Sequence, residues 1–176
     1  MQISFQSSLP ASAHLSFLRR NLKEILNLLS VRSAHWNVRI VRDAEMKRLH
    51  VDSLGISTTT DVLTFDLRDN PQKKDAEGAP VELDTVICVD EARRRAAEFH
   101  HPLQHELLLY CLHSLLHVQG YNDTTRAQSD RMHAREDELL TAIGVGPVFS
   151  KSPIPNLKSP NRKSKLKNRK SAGGVP

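Results

Sequence analysis

The segment "HSLLHVQGYND", residues 113–123, carries three side chains that can bind a metal ion. His113 and His117 are four residues apart, so on a helix they lie on the same face about one turn apart. Both imidazoles can then reach one ion, with zinc–nitrogen distances of about 2.0–2.1 Å. Gly120 can end the helix in the left-handed conformation and let Asp123 return as a third ligand. Three protein ligands leave one position for water, which is typical of catalytic sites.

The competing interpretation of this segment is a helix end whose histidines pack in the core. The chain has nine histidines, and His101 and His105 repeat the same spacing without an assigned function. The complete pattern, H-x-x-x-H-x-x-G-x-x-D, lies at the end of a strongly apolar helical segment, and from the residues alone both interpretations stay open. Ser114 stands where zinc proteases of the HExxH type carry their general base, a glutamate. Proteolysis is therefore disfavoured.

The composition predicts one folded domain followed by a basic tail. The chain has 176 residues, enough for one core and too few for two comfortable ones. Its formal net charge is +5, but residues 151–176 contain eight Lys or Arg and no acid, so residues 1–150 carry a net charge of −3. We predict a metal-binding domain over 1–150 and a disordered tail over 151–176, because the tail has little apolar surface to bury. Its charge favours a polyanion such as RNA, although it could also serve only to solubilise the chain.

The cysteines and the hydropathy suggest a compartment. Cys88 and Cys111 are the only cysteines and lack CxxC spacing, which indicates a reducing environment. The first residues lack the basic start and continuous apolar run of a secretory signal. No apolar stretch approaches the roughly 20 residues needed to cross a bilayer. We therefore expect a soluble, cytoplasmic protein.

Hydrophobic periodicity predicts the helices that must position the metal site. Asp43 and Asp90 are candidate N-caps of two of them. On the last helix, Met132 is expected to fill the core beneath the site and His133 to face solvent. The predicted helices cover residues 11–29 (opened by Pro10), 43–49, 90–99, 104–118 and about 128–143.

Three strands are predicted between these helices. In the first, Trp36, Val38 and Ile40 alternate with polar residues, the pattern of a strand with one buried face. The other two are the β-rich runs 61–67 and 83–89. Strands mixed with helices in this order predict an α/β (α+β) fold, with a single small mixed sheet packed with helices. The metal site would then lie at the end of the long apolar helix.

Several segments together resemble the YbeY family of rRNA maturation factors. "HSLLHVQGYND" is similar to the family signature H-G-x-L-H-L-x-G-Y-D-H, and "TDVLTF", residues 60–65, to T-[ND]-V-L-S-F. "DTVICVDEARRRAAEF", residues 84–99, looks like the family's D-I-x-I-C strand followed by a helix. The resemblance covers roughly residues 9–145. It implies a single-domain α/β metalloprotein with zinc held by three histidines, which acts as a single-strand endoribonuclease in ribosome assembly and small-subunit rRNA 3′-end processing.

The chain departs from the family pattern at the metal site and at an expected arginine. The third histidine of the signature falls on Asp123, and the aspartate before it falls on Asn122. Aspartate is itself a zinc ligand, and two histidines with one carboxylate also suit Fe²⁺ or Mn²⁺. The arginine that the family keeps near "TDVLTF", a natural phosphate partner, falls on Leu54. The candidates to replace it are Arg42, Arg48, Arg126 and Arg131.

Four further side chains are predicted to take part in the reaction. We expect Ser114 and Thr60 to be catalytic, and Tyr121 and Thr64 to bind substrate. Both threonines lie in the block that resembles the family's, although alternate threonines are also ordinary in strands. Tyr121 can stack on an unpaired base or pack against the helix end.

We interpret the chain as a metal-dependent single-strand endoribonuclease acting on small-subunit rRNA in rRNA maturation and ribosome assembly. His113, His117 and Asp123 would hold one Zn²⁺ per chain, with Fe²⁺ or Mn²⁺ as alternatives. The activity is expected to be weak, because both departures reduce the positive charge available to the phosphate. The first alternative is a non-catalytic, rRNA-binding ribosome-assembly factor of the same fold, and a metallopeptidase is less favoured.

Overall fold

The computed structural model describes residues 1–7, 13–69 and 79–149. Four strands form one sheet: β1 (Gln2–Ser7), β2 (Ala34–Val41), β3 (Val62–Asp66) and β4 (Val81–Cys88). Five helices pack with it: α1 (Ala13–Leu28), α2 (Asp43–Leu54), α3 (Val89–Glu98), α4 (Leu103–Val118) and α5 (Arg126–Ala142). The predicted start of the first helix at Pro10, the end of the predicted domain at 150 and the tail lie outside the described residues.

The sheet is mixed and has the strand order β1-β2-β4-β3. The pairs β1–β2 and β2–β4 are parallel, whereas β3 runs antiparallel to β4 and forms one edge. The predicted class, an α/β fold with a single small mixed sheet, is confirmed. The sequence pattern does not predict β1.

The main core lies between one face of the sheet and helices α1, α4 and α5. On β2, Trp36, Val38 and Ile40 all point into this core, which confirms the predicted alternation. Every residue of α4 from Glu106 to Val118 is buried, as expected for a helix that is apolar on all sides. Because other elements enclose α4 along this length, the helix is held rigidly up to the turn that follows it.

Helix α2 covers part of the opposite face of the sheet, over a smaller apolar cluster. The predicted N-caps of α2 and α3 are wrong: Arg42 and Cys88 occupy those positions, and Asp43 and Asp90 lie in the first helical turns. Negative charges there still interact favourably with the helix dipole. The Asp43 carboxylate also accepts two hydrogen bonds from Arg94, at 2.7 and 2.8 Å, which tie α2 to α3.

Among the residues that the structure describes, no helix combines the length and apolar character needed to cross a membrane.

Candidate metal centre

The chain reverses direction directly after α4. Gly120 has a φ of 92°, in the left-handed region that favours glycine. The Gly120 N–H donates to the His117 carbonyl and the Tyr121 N–H to the Leu116 carbonyl, each at 3.0 Å. These two bonds form a Schellman motif, which satisfies the last carbonyls of a helix and turns the chain back. The predicted helix end at Gly120 is confirmed, and the turn directs residue 123 towards the helix.

The turn brings the three predicted ligands together. One ligand atom from each of His113, His117 and Asp123 lies within 4.8 Å of the others. The two histidine Nε2 atoms are 3.0 Å apart, and His113 Nε2 is 3.8 Å from Asp123 Oδ2. Ligands at about 2.0–2.1 Å from a tetrahedral zinc ion lie about 3.3 Å from one another. The 3.0 and 3.8 Å separations lie on either side of this value, which is compatible with a metal ion shared by these side chains.

The outer nitrogens of both histidines are already occupied. His113 Nδ1 is 2.7 Å from Glu136 Oε1, and His117 Nδ1 is 3.0 Å from the Tyr121 carbonyl oxygen. A carboxylate and a carbonyl can only accept, so both Nδ1 atoms carry the hydrogen and donate it. In the neutral rings the Nε2 lone pairs then face each other, and they repel unless a positive charge, a metal ion or a proton, lies between them. This arrangement fits a metal site whose ligands are oriented from behind.

Glu136, which the sequence pattern does not single out, is the fully buried anchor of this arrangement. Its side chain is 0% exposed, and its second oxygen, Oε2, accepts a 2.7 Å hydrogen bond from His133 Nδ1. Burial alone would raise the Glu136 pKa, but the hydrogen bonds from His113 and His133 outweigh it and lower the pKa to about 2. The carboxylate is therefore ionised. Met132 is buried, as predicted, and Glu136 lies one helical turn after it on the same face of α5. This spacing is the signal in the sequence that could have indicated Glu136.

His133 corrects a second expectation. The sequence predicts that it faces solvent, but it is only 8% exposed. Its ring bonds to Glu136 on one side and stacks on Phe149 at a centroid distance of 3.6 Å. The side chains that could together hold a metal ion are His113, His117 and Asp123, and that His133 is not a ligand stays a prediction.

The electrostatics of the site keep one histidine ready to bind metal. Burial, followed by the charge of His113, lowers the His117 pKa to about 4, so its imidazole is neutral at pH 7. Neutral imidazole is the form that binds metal. Burial raises the pKa of Asp123. Asp61 also raises the pKa of both groups, which places a further carboxylate near the site that the sequence did not single out.

Of the four other predicted site residues, Ser114, Thr64 and Thr60 are buried and Tyr121 is half-buried. The Ser114 and Thr64 hydroxyls are 2.8 Å apart and bond to each other, with Ser114 0% exposed. The Thr60 hydroxyl donates to Asp61 at 3.1 Å. Tyr121 is half-buried and packs against the main core. The predicted catalytic and substrate-binding roles of these side chains stay predictions.

Comparisons with known proteins agree on one family. A family model described as Endoribonuclease YbeY matches residues 3–144. An Endoribonuclease YbeY of Moorella thermoacetica is 34% identical over 116 residues, covering 64% of this chain and 74% of the relative. One of Bacillus subtilis is 30% identical over 136 residues, covering 70% and 87%. The solution structure of TM1509 from Thermotoga maritima aligns with a TM-score of 0.55 at 23% identity, covering 92% of this chain and all of that one, which supports the fold.

Proposed function

This chain belongs to the YbeY endoribonuclease family, and from that premise we propose that it cleaves single-stranded RNA at a metal ion held by His113, His117 and Asp123, in the maturation of small-subunit rRNA. The observation that carries the proposal is the pair of histidine Nε2 atoms 3.0 Å apart, with both rings held through Nδ1 and with Asp123 Oδ2 3.8 Å from His113 Nε2. A non-catalytic assembly factor would have no need of so ordered a ligand set. A peptidase would lack a glutamate at Ser114.

The ligand chemistry favours zinc. Two imidazoles and one carboxylate form a common catalytic zinc set, and Fe²⁺ or Mn²⁺ are the alternatives. A bound divalent ion would polarise the phosphodiester and make a bound water more acidic. The protein's own contribution is orientation: Glu136 and the Tyr121 carbonyl hold the Nδ1 hydrogens, so that both Nε2 atoms face the site. Asp123 adds negative charge, which reduces the positive charge felt by the phosphate.

The further predicted residues can be given roles that fit their positions. We propose that the Ser114–Thr64 hydrogen bond fixes α4 against β3, and so positions the histidines on either side of Ser114. Thr60, through its bond to Asp61, would orient that carboxylate beside the site. Tyr121, which remains half-buried, would offer its ring to an unpaired base.

The test of the proposed function is cleavage of an unstructured RNA by the purified protein, before and after treatment with a chelator. We expect cleavage that the chelator abolishes and added zinc restores, and none by His113→Ala, because only two ligands remain. Casein should stay intact. Full activity after complete metal removal would refute the metal mechanism. Cleavage of casein but not RNA would favour the peptidase.

A second prediction concerns the basic tail. The structure anchors the chain just before it: Asp137 Oδ1 accepts hydrogen bonds from the Val148 and Phe149 N–H groups at 2.9 and 3.0 Å. Removing residues 151–176 should therefore leave the melting temperature unchanged. RNA binding should weaken and depend less on salt. The slope of log affinity against log salt should fall by about 0.7 for each phosphate of a single strand that the tail no longer neutralises.

The matched control for this truncation keeps the tail length and removes its charge, with all eight Lys and Arg changed to Gln. It should bind RNA as weakly as the truncated chain. A large drop in melting temperature on truncation would mean that the domain extends beyond residue 150. Unchanged RNA binding would mean that the tail has another role.

A further inference from the structure

A cavity of about 400 Å³ lies beside the turn that follows α4. Its volume is in the range of about 300–1,000 Å³ that is typical of ligand sites. The lining residues are mostly polar and come from this turn and from α5: Gln119, Gly120, Tyr121, Asn122, Gln128 and Arg131. Within the described part of the chain, the lining includes none of the three metal ligands, although Asn122 directly precedes Asp123. The cavity is therefore a compartment next to the metal site.

Arg131 is the charged residue of this lining, and its guanidinium can reach a ligand in the cavity. Two other arginines of α5 face carboxylates: Arg126 lies 3.9 Å from Asp130, and Arg135 lies 2.7 Å from Glu138. For residues 1–7, 13–69 and 79–149, no ion pair engages the exposed Arg131 side chain. A cation at the wall of a polar cavity is suited to an anion.

The chemistry of the neighbouring site indicates which anion this is. RNA carries a phosphate on each side of the bond that is cut, and a planar guanidinium binds phosphate through two parallel hydrogen bonds. Leu54 stands where the family pattern has an arginine, but it is uncharged. It ends α2 and packs against the smaller apolar cluster. Arg42 lies 3.5 Å from Asp90. Arg131, unlike Leu54 and Arg42, lines a cavity formed by the turn that leads into Asp123.

We propose that Arg131 binds a backbone phosphate of the RNA substrate next to the cleaved bond, in the cavity between the 119–122 turn and α5. This inference rests on the proposed function, RNA cleavage at the metal site. Because the cavity adjoins the metal ligands without including them, the contact holds the substrate in the ground state and the transition state alike. Removing the Arg131 guanidinium then raises KM and leaves kcat nearly unchanged.

The experiment measures binding and cleavage separately. Binding of a fluorescently labelled, unstructured RNA to metal-free protein is followed by anisotropy at several salt concentrations. Arg131→Gln should bind about 10-fold more weakly or worse, since a hydrogen bond to a charged group contributes about that factor. Its salt slope should fall by about 0.7. Arg135→Gln, the same change on the same helix outside the cavity, should bind like the natural protein, and Arg131→Lys should be intermediate.

The outcomes separate this inference from the proposed function. If the natural protein cleaves RNA and Arg131→Gln binds and cleaves it equally well, the Arg131 contact is wrong and the function stands. If the natural protein binds RNA through Arg131 but does not cut it, the contact stands and the nuclease function fails. A fall in kcat with KM unchanged would overturn the assignment to a flanking phosphate. If inorganic phosphate binds through Arg131 and Arg131→Gln loses this binding while its RNA affinity is unchanged, the site serves the free ion and the assignment to RNA is overturned.

Discussion

Replacing Asp123 by alanine is expected to remove the tightly bound metal ion and to abolish RNA cleavage, while the fold stays intact. Only the two Nε2 atoms, 3.0 Å apart, would remain as ligands. The loss of affinity should exceed the roughly 10–100-fold that follows loss of an outer hydrogen-bond partner of a ligand. The fold should persist because Asp123 follows the turn after α4 and lies outside the apolar core. Elemental analysis of protein purified without added metal, with thermal unfolding, measures both effects.

Two further variants make the Asp123 result specific. Asp130→Ala is the control. It removes an exposed carboxylate whose ion-pair partner is Arg126, at 3.9 Å, and it should change neither metal content nor activity. Asp123→His should tighten zinc binding and increase cleavage, because a neutral ligand leaves more positive charge on the metal site. A metal content of Asp123→Ala equal to that of the natural protein would show that the carboxylate is not a ligand.

The three candidate ligands could be predicted because they lie within eleven consecutive residues. Helical spacing fixes the relative position of His113 and His117, and a glycine in the left-handed conformation fixes the return of the chain. Both are local properties that need no knowledge of the tertiary structure. The same spacing at His101 and His105 does not by itself indicate a metal site. His101 lies 3.1 Å from Glu106, and His105 stacks on Phe17.

The support of the site could not be read from the sequence because it depends on distant parts of the chain. Glu136 lies 23 residues beyond His113 and reaches it only when α5 packs beside α4. The same packing buries His133, which a polar helix sequence suggests to be exposed. Until two helices are placed against each other, a glutamate on a core-facing position cannot be distinguished from one at the surface.

Strand β1 escapes prediction for a related reason. Of its six residues, Ile3 is buried in the core and Phe5 is only partly buried, which gives too short an alternation to indicate a strand. Its conformation is stabilised instead by a parallel pairing with β2, in which Ile3 is opposite Trp36. Parallel pairing joins segments far apart in sequence, and a hydrophobic pattern within one segment does not indicate it.

Exchanging Glu136 for alanine is expected to weaken both metal binding and the fold. The substitution leaves the Nδ1 hydrogens of His113 and His133 buried without their acceptors. Leaving a buried donor without its acceptor costs about 1–3 kcal/mol, so the two together cost about 2–6 kcal/mol. That is a large part of the roughly 5–15 kcal/mol by which a domain is stable. Because so large a destabilisation would obscure the effect on metal binding, the decisive comparison is with glutamine.

Glutamine has the shape of Glu136 but only one accepting oxygen, so it can accept from one of the two Nδ1 hydrogens and has lost the negative charge. The imidazole of His113 then becomes a weaker and less firmly oriented ligand. We expect zinc affinity, measured by competition with a chromophoric chelator, to fall about 10–100-fold in Glu136→Gln. The rise in melting temperature on zinc addition should shrink accordingly, because stabilisation by a ligand grows with the logarithm of its concentration relative to Kd.

Glu138→Gln is the matched control for this variant, because it makes the same change on the same helix at an exposed residue paired with Arg135. It should keep the natural zinc affinity and the natural response to zinc. If Glu136→Gln unfolds at a lower temperature but binds zinc as tightly as the control, the buried carboxylate only supports packing. If the zinc affinity of Glu136→Gln falls while its stability without metal stays near that of the control, the 2.7 Å bond from His113 Nδ1 to Glu136 acts on the metal site itself. It would do so by orienting His113 Nε2, the nitrogen that faces Asp123.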